Sequence, residues 1–284
     1  MAMGVAFALM WSSAFATARI IVADASPLMS LALRFLISGA IAVLLALWLG
    51  QRMRLSAAQW RATIIFGLCQ NGLYLGLNFV AMQQIEASLA AIIASTMPFL
   101  VAGLGWAFMG HRLRPLGIMG LAAGALGVAL IMGSRVTGGA DLVGIALCAV
   151  GALALAVAAL LVKGASGGGN LLMVVGLQMW VGCIAVAGIS VLTEDWVLRW
   201  SWGWGAAFAY QIIVPGLAAT MIWFLLVRRI GAVRASAFHF LNPFFGVAIA
   251  ALVLGEKVHA WDIAGVLIVT AGILAVQVSR QAAG

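Results

Sequence analysis

The chain is a series of long apolar runs separated by short polar breaks. A helix needs about 20 apolar residues to cross a bilayer, and ten runs approach that length, so the pattern predicts ten membrane-spanning helices. The breaks carry residues that end helices, as in Asp24–Pro27, Gly167–Asn170 and Gly255–Lys257. The predicted spans are 4–22, 28–49, 60–82, 88–109, 115–133, 142–162, 171–192, 205–227, 233–254 and 260–278.

One stretch of the sequence occurs twice. Residues 78–132 fall on residues 223–277 after a shift of 145 positions. Because prolines and glycines hold this register, the match is more than shared hydrophobicity, and it predicts two related halves, 1–136 and 137–284. The positions that hold the register are Pro98 and Pro243, Gly110 and Gly255, Gly120 and Gly265, and Gly127 and Gly272.

The composition agrees with a membrane protein. Hydrophobic residues make up 65% and charged residues only 8%, whereas soluble domains carry about 25% charged residues. The net charge of +8 could suggest nucleic acid, but the basic residues are scattered between apolar runs. We therefore expect membrane lipid and no nucleic acid as partner. The cysteines Cys69, Cys148 and Cys183 have no metal or disulfide spacing, so we expect no metal and no cofactor.

The basic residues also predict an orientation. Of the 15 lysines and arginines, ten lie on the side of the two termini, three lie on the other side, and Arg19 and Arg34 lie within helices. The positive-inside rule then makes both termini cytoplasmic in a bacterial-type inner membrane. Since each half has five helices, the second half must be inverted relative to the first. Inverted repeats are typical of transporters that work by alternating access.

Several short motifs carry a family resemblance. They are the run Trp11–Phe15, the run Leu33–Phe35, the two prolines Pro98 and Pro243, and the turn Gly255–Glu256. With these motifs the whole chain resembles the EamA-type branch of the drug/metabolite transporter superfamily and, within it, the YddG-type aromatic amino-acid exporters. The resemblance implies a ten-helix exporter with a central cavity. The first half departs from the motif, because it has Gly110–His111 where the second half has Gly-Glu; we interpret the acid of that turn as an end-capping or interfacial device.

The third predicted helix carries a polar stripe. At about 100° per residue, its polar positions cover roughly a quarter of the circumference. Such a stripe can be a cavity wall that binds a zwitterion, or it can bond helices together. We favour the cavity wall. The four residues are Gln70, Asn71, Tyr74 and Asn78.

The ninth predicted helix supplies the second half's polar candidates. Ser236, His239 and Asn242 share one face and precede Pro243. Proline lacks an N–H, so we expect free carbonyls at His239 and, through Pro98, at Ala94. Free carbonyls could accept from a substrate ammonium group, or the prolines could be packing kinks. His239 could be a neutral structural histidine or a proton-coupling group.

Aromatic and basic residues complete the candidates. We expect Trp11, Ser12, Phe15 and Trp180 to line the cavity, the aromatic rings by stacking on the solute. Arg19 and Arg34, the two arginines within spans, could pair with nearby acids at helix ends or snorkel outward. A substrate carboxylate is the alternative partner of Arg34.

No predicted span contains a carboxylate within its interior. A proton-coupled exporter of cationic drugs needs such an acid, so the sequence favours a facilitative exporter of amino acids, aromatic ones first. A proton-coupled drug or metabolite antiporter is the alternative. An intramembrane enzyme would need a catalytic cluster that the sequence lacks, and a scaffold or channel is the remaining class. The oligomeric state is left open, with a monomer as one possibility.

Overall fold

The computed structural model describes residues 2–109, 115–137, 139–161, 170–231 and 235–281. Every regular element within these ranges is helical, and one isolated antiparallel bridge joins Ala25 to Leu198. We number the apolar helices in chain order, and each overlaps one predicted span. They are α1 (Ala2–Asp24), α2 (Pro27–Trp48), α3 (Ala57–Ala81), α4 (Ala87–Phe108), α5 (Pro115–Thr137), α6 (Leu142–Leu161), α7 (Leu171–Thr193), α8 (Trp202–Ile230), α9 (Asn242–Leu254) and α10 (Ala260–Gln281).

The lengths of these helices define a polytopic membrane protein. Among the described residues, seven helices (α1–α4 and α6–α8) are long and apolar enough to cross a membrane. Shorter apolar stretches lie in α5, α9 and α10. The fold is therefore all-helical with many spans, and the count of ten spans stays a prediction.

Irregular turns interrupt three of the helices and precede a fourth. In α3 the segment Gly67–Leu75 is a π-helix, and in α8 the segment Ile212–Ala219 is one too. The two segments begin 145 positions apart, the spacing of the sequence repeat. The α4 helix is interrupted between Ala94 and Met97, just before Pro98, and α9 follows a 3-10 turn, Ala237–Leu241.

Glycines allow α5 and α10 to pack backbone against backbone. A Cβ atom on Gly127 would lie 2.9 Å from the Gly265 carbonyl oxygen, and one on Gly272 would lie 2.5 Å from the Gly120 carbonyl oxygen. Gly127 thus faces Gly265, the repeat partner of Gly120, while Gly120 faces Gly272, the repeat partner of Gly127. Crosswise contacts of this kind are what a two-fold relation between the helices would produce.

Glutamates cap helices of the opposite half. Both carboxylate oxygens of Glu194, just after α7, accept hydrogen bonds at the start of α2, from the Leu28 N–H (2.8 Å) and the Met29 N–H (2.9 Å). In the reverse direction, Gln51, just after α2, accepts from the Met173 N–H near the start of α7 at 3.1 Å. These bonds satisfy N–H groups that have no partner within their own helix.

The second glutamate confirms the interpretation of the Gly255–Glu256 turn as a capping device. Gly255 adopts φ +69, which ends α9, and the Glu256 carboxylate accepts from the N–H groups of Ala87 and Ser88 at 2.8 and 3.0 Å. A carboxylate is also favoured by the positive end of the α4 dipole. The matching turn at Gly110–His111 lies outside the described residues.

The Glu194 cap can be tested by Glu194→Gln. An amide retains one acceptor oxygen and places a donor against the second N–H group, so one buried N–H loses its partner, at a cost of about 1–2 kcal/mol. We expect the melting temperature of the purified protein to fall by about 3–6 °C. The control is Asp195→Asn, because the neighbouring Asp195 is exposed. Equal melting temperatures for Glu194→Gln and the wild type would contradict the proposed cap.

Candidate functional site

A narrow cavity, here called the central cavity, lies where α1, α2, α3, α7 and α8 meet. Most of its wall belongs to the first half, and the second half contributes Met179, Pro215 and Thr220. Its volume is about 20 Å³, which is room for about one water molecule. A larger solute can enter only if these helices move apart. The predicted site residues in its wall are Trp11, Phe15, Gln70, Tyr74 and Asn78.

Both π-helical segments border this cavity. The α3 segment supplies Gln70, Asn71 and Tyr74 to the wall, and the α8 segment supplies Pro215. A π turn shifts the phase of the following side chains relative to a regular α-helix, and such turns are frequent at functional sites. The stripe was predicted with regular α-helical spacing. That spacing is wrong for Gly67–Leu75, yet the three stripe residues of the segment are still buried together.

Two of the polar stripe residues also hold helices together. Asn71 Nδ2 donates to the Gln178 backbone oxygen at 2.9 Å and to the Gln178 Oε1 at 2.5 Å, which joins α3 to α7. Asn78 Nδ2 donates to the Tyr74 carbonyl at 2.7 Å, and Asn78 Oδ1 accepts from the Cys148 thiol at 3.3 Å. Their amides therefore have protein partners already.

Gln70 differs from these two asparagines. Its side chain is 2% exposed, and its Oε1 atom has no hydrogen-bond partner among the described residues. A buried polar atom without a partner is costly. Because Gln70 lines the cavity, a solute that donates a hydrogen bond can satisfy this oxygen.

One wall of the cavity is the surface of an aromatic cluster. The rings of Trp11 and Tyr74 are nearly parallel, 9° apart, with centroids separated by 6.2 Å. On the far side of Trp11, the His239 ring packs edge-on at 5.6 Å, and Phe7 lies against both at 5.4 and 5.2 Å. Trp223 packs against Phe7 and His239. Trp11 is thus supported from behind by rings from both halves.

Ser12, Asn242 and His239 form a buried hydrogen-bonded chain behind this wall. Ser12 Oγ donates to Asn242 Oδ1 at 3.2 Å, and Asn242 Nδ2 lies 3.0 Å from His239 Nδ1. The three side chains are at most 1% exposed and are absent from the cavity wall. They join α1 to the second half, and the His239 ring contacts the cavity wall at Trp11.

The prediction that the His239 backbone carbonyl lacks a hydrogen-bond donor is wrong. The 3-10 geometry of Ala237–Leu241 places the Asn242 N–H against the His239 carbonyl, which accepts its hydrogen bond. A tightened turn of this kind supplies a partner that a regular helix before Pro243 would lack. In α4, the hydroxyls of Ser95 and Thr96 donate to the carbonyls of Ile92 and Ile93 next to the break at Pro98.

The structure places Trp180 away from the cavity. Its indole lies against Gly39 of α2 and donates to the Leu36 carbonyl at 3.3 Å, on a partly exposed side of the α2–α7 contact. The prediction of Trp180 as a wall residue is therefore not met by its position. Since α7 faces both the cavity and α2, its sequence alone could not tell which side carries the tryptophan; Met179 is the cavity residue next to it.

The two arginines within spans have different surroundings. Arg19 is partly buried and donates a hydrogen bond to the Met82 carbonyl. Arg34 is 4% exposed and lines the cavity, so it does not snorkel outward. Its Nε and Nη1 atoms have no hydrogen-bond partner in the described part of the chain.

A polytopic helical fold with a cavity among its helices fits the class of membrane transporters. Comparison with known proteins identifies the family. The model of the EamA-like transporter family matches residues 1–133 and again residues 142–277. The chain therefore belongs to this family.

Other proteins resemble this chain in sequence or in fold. "Uncharacterized transporter YvbV" of Bacillus subtilis is 23% identical over 96% of this chain and 90% of its own length. "Protein PecM" of Dickeya dadantii is 23% identical over 93% of this chain and 86% of its own length. A solved crystal structure with 19% identity matches the fold with a TM-score of 0.74, covering 100% of this chain and 98% of that chain.

Proposed function

We propose that this transporter exports amino acids with apolar or aromatic side chains across the inner membrane. It does so by alternating access between two inverted five-helix halves and without proton coupling. The observation that carries the proposal is the central cavity, whose wall combines aromatic rings with the unpartnered Gln70 Oε1. The rings suit an apolar side chain, and the amide oxygen can accept from an ammonium group.

Three observations support two inverted halves. The π-helical segments of α3 and α8 begin 145 positions apart. The glycines of α5 and α10 face one another crosswise. Glu194, just after α7, caps the start of α2, and Gln51, just after α2, caps the start of α7. Each is expected from a pseudo-two-fold axis in the membrane plane.

The distribution of acids supports facilitative transport. The described residues that line the cavity include no aspartate or glutamate. Glu194 and Glu256 are engaged as helix caps, and Asp24 accepts from the Ser201 hydroxyl at 2.7 Å. Exchange of a proton for a cationic drug needs an acid in reach of the solute. A proton-coupled antiporter is therefore the weaker alternative.

A second depression suggests the route of access. It is wider than the central cavity, about 360 Å³, and it opens at the end of the molecule where α1 ends. Gln83 belongs to its wall, whereas the preceding Met82 belongs to the wall of the central cavity. The depression is polar and includes Asp24, Glu194 and Arg199. We infer that it is the outer vestibule, at the side predicted to face away from the cytoplasm.

Transport into liposomes that contain only the purified protein tests the proposal. The vesicles are loaded with unlabelled phenylalanine, and entry of labelled phenylalanine, labelled threonine and a cationic dye is followed with and without a pH gradient. We expect saturable phenylalanine exchange that does not depend on the gradient. Protein-free vesicles are the control. Uptake of the dye alone, driven by the gradient, would contradict both the substrate and the facilitative mechanism.

A further inference from the structure

Arg34 is a buried cation that pairs with no acid among the described residues. It lies on α2, about two turns after the start of the helix at Pro27. Its guanidinium carbon lies 5.5 Å from the centre of the Phe35 ring, and its Nε and Nη1 atoms have no hydrogen-bond partner in the described residues. No described acid forms an ion pair with it, and the nearby Glu194 carboxylate is bonded to Leu28, Met29 and Ser190.

An unpaired charge at this depth is costly to the fold. Desolvation of an isolated cation is not repaid by one aromatic ring, and ionisable groups within membrane spans generally mark a substrate path. Arg19 shows the structural alternative, since it donates to the Met82 carbonyl at the end of α3. Arg34 instead lines the cavity.

The chemistry of the Arg34 guanidinium indicates which kind of ligand group it would bind. Its planar fork of N–H donors matches a carboxylate, which it can bind through two parallel hydrogen bonds. The same cavity contains Gln70 Oε1, an acceptor that has no hydrogen-bond partner among the described residues. An α-amino acid complements both groups: its carboxylate can accept hydrogen bonds from Arg34, and its ammonium group can donate one to Gln70 Oε1.

We propose that Arg34 binds the carboxylate of the transported solute. The proposal deepens the function given above and rests on it for the identity of the solute. The bound carboxylate neutralises Arg34 within the membrane, and Trp11 and Tyr74 contact the apolar part of the solute. A solute without a carboxylate leaves the buried cation unpaired.

Binding to the purified protein, measured by calorimetry, tests this role with three ligands of one shape. Phenylalanine carries both charged groups, phenylalaninamide lacks the carboxylate, and 3-phenylpropionate lacks the ammonium group. In the wild type we expect phenylalaninamide to bind about 30-fold more weakly than phenylalanine. In Arg34→Gln we expect phenylalanine and 3-phenylpropionate to lose about 30-fold in affinity, with phenylalaninamide changing less than about threefold. The matched control, Arg19→Gln, is expected to keep the phenylalanine affinity of the wild type.

The outcomes separate this proposal from the proposed function. Equal binding of phenylalanine and its amide by the wild type overturns the role of Arg34, even if amino-acid exchange is observed; this arm needs no variant, so it holds if Arg34→Gln fails to fold. Equal weakening of all three ligands in Arg34→Gln also overturns it. Binding of 3-phenylpropionate that depends on Arg34, without exchange of amino acids, supports the carboxylate site and refutes the amino-acid function.

Discussion

Trp11→Ala is expected to lower phenylalanine exchange about 100-fold, because it removes the central ring of the cavity wall. Trp11 stacks on Tyr74, and Phe7 and His239 hold it from behind. Truncation to alanine therefore removes the contact with the solute and leaves a void that the supporting rings cannot fill. The loss corresponds to about 2.7 kcal/mol of binding to the transition state of transport.

Two variants distinguish this effect from general damage to the protein. Trp180→Ala removes the same side chain from α7, but outside the cavity, and is expected to keep exchange within about twofold of the wild type. Trp11→Phe keeps a ring in the wall and is expected to lose about tenfold. Both variants and Trp11→Ala are checked for a single peak in size-exclusion chromatography. Equal losses from Trp11→Ala and Trp180→Ala would refute the assignment of this cavity.

The sequence predicts the helices well because membrane burial imposes a simple rule. Each backbone polar group in lipid must bond within its own segment, so a long apolar run has few alternatives to a helix. The end of α9 was equally predictable from the sequence. Gly255 has no side chain, so it can adopt the positive φ that ends this helix. Cys69, Cys148 and Cys183, which have no disulfide spacing in the sequence, form no disulfide among the described residues.

The candidate site is less predictable, because it depends on contacts between distant segments. Polar residues on one helix face indicate that something polar lies opposite, but not whether it is a solute or another helix. Asn71 and Gln70 are neighbours in sequence, yet Asn71 bonds to Gln178 while Gln70 Oε1 has no hydrogen-bond partner in the part of the chain that the structure describes. Only the packing of α3 against α7 decides between these two outcomes.

Departures from regular α-helical geometry are the reason why the spacing of the polar stripe and the free carbonyl at His239 were predicted wrongly. The π segment Gly67–Leu75 and the 3-10 turn Ala237–Leu241 both depart from the spacing of 3.6 residues per turn on which the stripe and the free carbonyl were predicted. One signal was available at Pro215, which lies inside the α8 π segment, since a proline within a span commonly marks a broken hydrogen-bond ladder. Because the two halves repeat, a π-helical segment in α8 would also have predicted one at the matching position of α3, which has no proline there.

Gly272→Val is expected to have the largest structural effect, because Gly272 lies where the backbones of α5 and α10 are in direct contact. A Cβ at this position would lie 2.5 Å from the Gly120 carbonyl oxygen and 2.7 Å from the Gly124 nitrogen. Backbone atoms within helices cannot give way, so α10 and α5 must separate, and overpacking of this kind costs about 3 kcal/mol or more. We expect a melting temperature lower by about 10 °C, or no folded protein after purification.

The control for this prediction is Gly188→Val, which adds the same side chain to α7 at an exposed position with nothing within 4 Å of its Cβ. It is expected to melt within about 2 °C of the wild type. If α5 and α10 were held by their surrounding side chains instead of by glycine contacts, both variants would behave alike. Equal melting temperatures would therefore refute the crosswise glycine contact and, with it, one of the supports for two inverted halves.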